Sequence, residues 1–130
     1  MRSPHEHTNY RPAVGTPGDA IVSTFGPTDP LDALNPDAKP YYGAISGTSM
    51  ACPAAAGVCA LIIDAARENG YDPSPAEVIT TLEATADDAH TSYTPWNVGT
   101  GFVDALDAVE RAEAGEFARF GGIEPVDPDT

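Results

Sequence analysis

The stretch Gly47-Thr48-Ser49-Met50-Ala51-Cys52-Pro53-Ala54-Ala55-Ala56-Gly57 sets two hydroxyls between a glycine and a run of small helix-forming residues. From Met50 onward Val58, Leu61, Ile62 and Ala65 recur at three- and four-residue spacing, which predicts a mostly buried helix from Met50 to about Glu68. With Ser49 at the N-cap, Pro53 is the fourth helical residue, the last whose N–H has no partner inside the helix. The proline thus places Ser49 at the helix mouth, where unpaired N–H groups and the positive end of the helix dipole gather. Gly47 permits a tight backbone just before it.

Upstream, Pro17-Gly18 marks a turn before a β-rich run, Ala20 to Phe25, and Tyr41 to Ser46 (YYGAIS) reads as a second short strand that delivers the chain to Gly47. The proline- and aspartate-rich segment Gly26 to Pro40 between them reads as a long surface loop. Downstream, Asn69-Gly70 stops the first helix. Ser74, Pro75 and Glu77 form a capping box for a second helix running through Val78, Ile79 and Leu82 to about Ala86. A third helix opens near Asp104, runs through Leu106 and Val109 to Ala114, and stops at Gly115. The loop before it carries a short strand at Phe102 and Val103, and Tyr93, Trp96 and Phe102 read as core or loop anchors. Two strands and three helices make part of an α/β layered domain, with too few strands for a complete sheet. Residues 1–10 read as a frayed polar end whose His5 and His7 are solvated, 11–114 as the domain, and 115–130 as a disordered acidic tail.

Asp plus Glu number 20 against 6 Lys plus Arg in 130 residues, a net charge of −14. Such a surface repels nucleic acid and anionic membranes, so neither is an expected partner. It suits concentrated salt, where screening removes the self-repulsion; an acidic domain of ordinary salt is the alternative. Cys52 and Cys59 lie seven positions apart, about 10.5 Å along a helix, too far for a disulfide. They read as two small apolar contacts. No Cys/His spacing suits a metal. The amino terminus has no apolar run of signal-peptide length, and no stretch reaches the roughly 18 apolar residues of a membrane span. The chain as it stands therefore reads as soluble, and as cytoplasmic if made without an address.

A serine hydroxyl attacks only when a base removes its proton. GTSMACP, preceded by TPG (Thr16 to Gly18) and AIVST, resembles the nucleophile segment of the subtilisin-like serine peptidases (subtilases, peptidase family S8), whose pattern is Gly-Thr-Ser-Met-Ala-x-Pro. GTGFVDALDAV, Gly99 to Val109, resembles the family's closing glycine turn, strand and helix, so the likeness runs from Arg11 to Ala112. It implies a partial subtilisin-like three-layer α/β fold, the C-terminal part of a parallel-sheet domain with the nucleophile at the start of a buried helix. It implies that Ser49 is the acyl-forming nucleophile and that its backbone N–H contributes to the oxyanion hole. Gly47, Thr48, Met50, Ala51, Pro53 and Gly57 support the motif. It further implies a polypeptide substrate and an extracellular site of action, and with the acidic composition it points to a halophilic archaeon. Some loops in the family bind calcium, but the spacing of Asp29 to Asp37 lacks an EF-hand's glycine and glutamate, so no cofactor is expected.

The family's chain order is Asp, His, Ser, yet the 48 residues before Ser49 hold no Asp-Thr-Gly, Asp-Ser-Gly or His-Gly-Thr. Ala54 also stands where the family usually has a packing histidine. In subtilisin, loss of the base costs about a millionfold in turnover, so the chain alone is expected to be nearly inactive, its partner being a missing N-terminal part of the peptidase domain. Two other readings stay open. One is a non-catalytic remnant or binding module of the same fold. The other is an α/β-hydrolase-like esterase using Ser49, Asp87 or Asp88, and His90, against which Ala51 stands where the nucleophile elbow has glycine.

Overall fold

The computed structural model describes residues 13–26, 41–87 and 95–123. His5, His7, Asp29 to Asp37, Asp88, His90, Tyr93 and the tail from 124 lie outside the described residues. The elements are β1 (Ile21–Thr24), β2 (Tyr42–Ile45), α1 (Thr48–Glu68), α2 (Pro75–Ala84), α3 (Pro95–Val98), α4 (Ala105–Ala114) and a 3-10 turn (Phe120–Gly122). The mixed α/β class expected from the sequence is the one the chain adopts. Contacts divide it into two compact units: Pro17–Ala54, and the described residues on either side of that segment.

In the first unit β1 and β2 pair antiparallel, with Ile21 opposite Ile45 and Thr24 opposite Tyr42. A bond from Phe25 N–H to the Tyr41 carbonyl, 2.7 Å, extends the pair. The Phe25 ring lies over Gly43, where a Cβ would have no room. The parallel arrangement implied by the family likeness is represented in the second unit by one bridge, Gly15 with Phe102, flanked by antiparallel bridges Val14 with Gly99 and Asp87 with Phe102. The strand expected at Phe102 and Val103 is thus a set of single bridges.

The second unit is built on helices. Ile62, Ala65 and Ala66 of α1, Val78 and Leu82 of α2, and Ala108 and Ala112 of α4 form its core. Four of those seven are alanines, which lets the helix axes approach closely. Ile62 is wholly buried, and burial of such a side chain is worth about 1.5–3 kcal/mol. Ser74 caps α2 as expected: its Oγ accepts from Glu77 N–H while the Glu77 carboxylate accepts from Ser74 N–H at 2.8 Å. Asp104 caps α4 by accepting from the N–H groups of Leu106 and Asp107, and Gly115 ends it in the left-handed conformation.

Four expectations are corrected. Helix α1 is not mostly buried: only Ile62, Ala65 and Ala66 of its 21 residues are, because α2 and α4 cover one face alone. Second, the sequence does contain a segment long and apolar enough to cross a membrane by length and composition, since an 18-residue window within α1 has a mean hydropathy of 1.7. Its alanines and cysteines supply apolarity without any long run of large apolar side chains. Third, Cys52 is exposed rather than a packing contact, while Cys59 is half-buried; both thiols are free. Burial holds the Cys59 thiol above its usual pKa, in its uncharged form.

Fourth, the acidic tail is not disordered from residue 115. Thr80 Oγ1 donates to the Ala118 carbonyl at 2.7 Å, and Ala118 N–H donates to the Thr81 hydroxyl at 3.0 Å. Phe117 meets Tyr71 edge to face, ring centroids 6.2 Å apart. Thr81 is fully buried, so a strand-like partner satisfies a hydroxyl that would otherwise be stranded in the core. The composition of the segment hid this, since the anchoring atoms belong to Ala118's backbone and to α2.

The Ser74 bonds lower the Glu77 pKa below its ordinary 4.5. The stabilisation from this capping box is therefore complete above pH 4.5 and is lost as pH falls through the lower folded value. Carboxyl carbon NMR should show Glu77 titrating below its ordinary 4.5. Ser74→Ala should return it to the ordinary range and cost about 1 kcal/mol in urea unfolding.

Candidate active site

Ser49 lies in the first turn of α1, within the unit Pro17–Ala54, and its side chain is exposed. The helix begins earlier than the sequence suggested. The Gly47 carbonyl accepts from the N–H groups of Met50, at 2.9 Å, and Ala51, at 3.2 Å, so Gly47 and not Ser49 occupies the cap. Gly47 has φ +154°, a conformation any side chain would resist. This correction matters chemically. A capping serine uses its oxygen to hold its own helix; here glycine caps, and the Ser49 hydroxyl has no hydrogen-bond partner among the described residues.

The N–H groups of Thr48 and Ser49 have no carbonyl to reach within the helix. They stand at the positive end of 21 aligned peptide dipoles, with no acidic side chain in the first turn to neutralise it. An oxyanion formed on a carbon attached to Ser49 Oγ would find such donors close by. Pro53 is consequently a residue inside the helix rather than at its fourth position. It has no N–H for the Ser49 carbonyl, and its ring crowds that carbonyl. The turn bearing Ser49 is therefore tied to the rest of α1 by fewer bonds than an ordinary turn.

Other contacts hold it. Gly47 N–H donates to the Gly18 carbonyl at 2.7 Å. Gly18 sits so close that an added Cβ would come within 2.9 Å of the Gly47 oxygen and 3.0 Å of the Ala51 Cβ. One residue before Gly47, the Ser46 hydroxyl donates to Asp19 Oδ1 and accepts from Ala20 N–H, the latter at 2.8 Å. Ala20 has φ +50°, a left-handed backbone that a non-glycine residue holds only when its surroundings fix it. The Pro17-Gly18 turn and the end of β2 are thus clasped together immediately before Ser49. Sequence reasoning identified Gly18 as part of a turn but missed Asp19 and Ser46. A polar residue directly after a Pro-Gly turn, with a serine directly before the helix, was the available signal.

The remaining predicted residues are placed as follows. Thr48 is exposed, Met50 and Ala51 are half-buried, and Pro53 and Gly57 are exposed. Ala54, at the family's histidine position, is half-buried. Asp87, invoked for the esterase reading, is exposed, and its backbone is engaged on both sides with Phe102, at 2.7 and 2.8 Å. Its proposed companions Asp88 and His90 lie outside the described residues. Among the described residues no three His, Cys, Asp or Glu side chains cluster to suit a metal ion.

The Ser49 hydroxyl, freed from capping, thus stands exposed at a helix mouth clasped by a Pro-Gly turn. The sequence model of the subtilase family (peptidase S8) matches residues 1–118. The chain belongs to the subtilase family. It is 34% identical over 110 residues, 83% of its length, to an extracellular basic protease of Dichelobacter nodosus, of which this match covers 17%. Over 107 residues, 76% of this chain and 14% of the relative, it is 30% identical to the subtilisin-like protease SBT4.4 of Arabidopsis thaliana. With SBT4.3 of the same plant it shares 38% identity over 79 residues, 58% of this chain and 10% of that one. The chain thus spans less than a fifth of the length of these curated relatives.

Gly18→Ala should lower stability by about 1–3 kcal/mol, because its methyl group must push the Gly47 carbonyl and the first turn of α1 apart. Gly47→Ala should cost about 1 kcal/mol or more through its backbone conformation alone. Urea midpoints measured in molar sodium chloride check both.

Proposed function

We propose that this chain is the serine-bearing part of a subtilisin-like endopeptidase, with Ser49 as the nucleophile that forms the acyl-enzyme and its backbone N–H as an oxyanion donor. The observation that carries the reading is the exposed Ser49 hydroxyl, without a partner among the described residues, in a helix turn capped by Gly47. Family membership supports it.

In the proposed reaction the Ser49 oxygen adds to a peptide carbonyl as a base takes its proton. The carbonyl oxygen then becomes negative beside the first-turn N–H groups. Collapse expels the amine, and water repeats the addition on the ester. The base and the carboxylate that orients it are supplied from outside the described residues, by the part of the domain that the family's chain order places before the serine. Alone, the chain retains only what the helix mouth contributes and hydrolyses peptides at a negligible rate. Polypeptides are its substrates and no cofactor takes part. Action outside the cell agrees with the name of the Dichelobacter relative. The charge of −14 fits a protein of a salt-adapted organism, a halophilic archaeon, whose fold is held in concentrated salt.

Fluorophosphonate labelling in molar sodium chloride tests the assignment. Slow labelling confined to Ser49, and abolished by Ser49→Ala, is the expected result. Labelling of Ser23, Ser46 or Ser74 as fast as that of Ser49, or labelling that survives Ser49→Ala, overturns it.

A further inference from the structure

Among the described residues, Ala20 and Tyr41 hold a left-handed backbone without being glycine. Ala20 stands just before β1, and an L side chain keeps a φ of +50° only when its surroundings enforce it. What enforces it is the Ser46 hydroxyl, which accepts from Ala20 N–H at 2.8 Å and donates its own proton to Asp19 Oδ1. A serine hydroxyl has one proton and two lone pairs on a freely turning bond. Once the proton is committed to the Asp19 carboxylate, the bond no longer turns, and lone-pair density stays aimed at Ala20 N–H. An O–H···O⁻ bond is also of the stronger, charge-assisted kind.

The chain of bonds continues towards Ser49. The N–H of Gly47, in the peptide unit it shares with Ser46, donates to the Gly18 carbonyl at 2.7 Å, and the Gly47 carbonyl accepts from Met50 and Ala51 N–H. Packing does not fix this residue: even an added Cβ at Gly47 would find no atom nearer than 3.9 Å. Its orientation therefore rests on hydrogen bonds, and all of them lie within the unit Pro17–Ala54.

We propose, resting on the reading of Ser49 as nucleophile, that Asp19 is a positioning residue: through the Ser46 hydroxyl it holds the Gly47 peptide, and with it the first turn of α1, in the orientation in which Ser49 reacts. Asp19 touches neither Ser49 nor substrate in this role. It acts through Ser46, and the strained backbone of Ala20 is what its bond secures. The competing role for an exposed carboxylate at this junction is purely electrostatic, and it has the opposite sign. A negative charge near the helix mouth opposes the negative charge that forms on a group attached to Ser49 Oγ, so a bare charge would slow the reaction. A positioning bond speeds it.

Fluorophosphonate labelling of Ser49 and amide exchange by NMR, both on this chain in molar sodium chloride, test the proposal together. Asp19→Ala should slow labelling about 5-fold and speed exchange of the Ala20, Gly47 and Met50 amides by a similar factor, the size of one net hydrogen bond. Exchange of the Val78 and Leu82 amides in α2 should not change, which shows that the loss is local. Asp19→Asn keeps an acceptor oxygen and should hold both readouts within about 2-fold of the original chain. Ala20→Gly added to Asp19→Ala should recover labelling, since glycine adopts φ +50° without enforcement. Asp72→Ala removes an equal charge from another exposed carboxylate and should leave the labelling rate unchanged. Faster labelling in both Asp19→Ala and Asp19→Asn assigns Asp19 to charge alone and overturns the proposal. So does Ser49 labelling at an unchanged rate in Asp19→Ala. Labelling that survives Ser49→Ala, with the Gly47 amide responding as expected, removes the nucleophile and keeps the hold of Asp19 on the backbone. Should labelling be too slow to follow, the exchange of Gly47 and Met50 decides: acceleration in Asp19→Ala that Asp19→Asn reverses upholds the proposal, and unchanged exchange overturns it.

Discussion

The bond from Gly47 N–H to the Gly18 carbonyl, 2.7 Å long, is the constraint from which the candidate site follows. It joins a Pro-Gly turn to the residue at which α1 starts. Because Gly18 has no side chain, the turn can lie against the Gly47 oxygen and Ala51. Because Gly47 has none either, it can adopt the backbone that starts the helix there. The capping duty then falls to main-chain atoms, and Ser49 is left with an oxygen that takes no part in holding its own fold. The Asp19–Ser46–Ala20 bonds secure the same junction from the other side. A nucleophile needs a fixed backbone and a free side chain, and this arrangement supplies both within a few residues.

The same helix explains the uneven burial of the chain. Its Ile62, Ala65 and Ala66 side is locked into a core with α2 and α4, whereas the Ser49, Cys52, Ala56 and Ala60 side faces open space. Both sides are mostly small: the buried side carries Ile62 with two alanines, and the open side carries Leu61 among alanines, Gly57 and Cys52. Helical periodicity sorts these residues so regularly that one element serves as both a core member and an unclosed surface.

Much of this was legible in the sequence, where local chemistry dictates structure. Ser74 with Glu77, Asp104 at the head of α4 and Gly115 at its end are local signals, and each stands where the residues predict. Both strands also form within a residue or two of their expected bounds. What failed depends on atoms far apart in the chain. The position of Ser49 was misjudged because the first helical bond is fixed by Gly47, itself fixed by Gly18, which sequence spacing cannot reveal. Burial of α1 was overestimated because an apolar helix in sequence looks the same whether or not both of its sides are covered. The anchoring of Ala118 escaped because threonines on α2 provide it, 37 and 38 positions away. The candidate nucleophile was readable from a motif, while Asp19 and Ser46, which hold its backbone, carried no recognised pattern.

The two threonines hold the chain at the end of its match to the family. The match to the subtilase family model runs to residue 118, the residue whose amide and carbonyl are both gripped by Thr80 and Thr81. Side-chain hydroxyls there mimic a neighbouring strand for the length of one peptide unit, and nothing among the described residues repeats the trick for residues 119 to 123. The last residue matched to the family and the last backbone held by the α2 threonines are the same alanine.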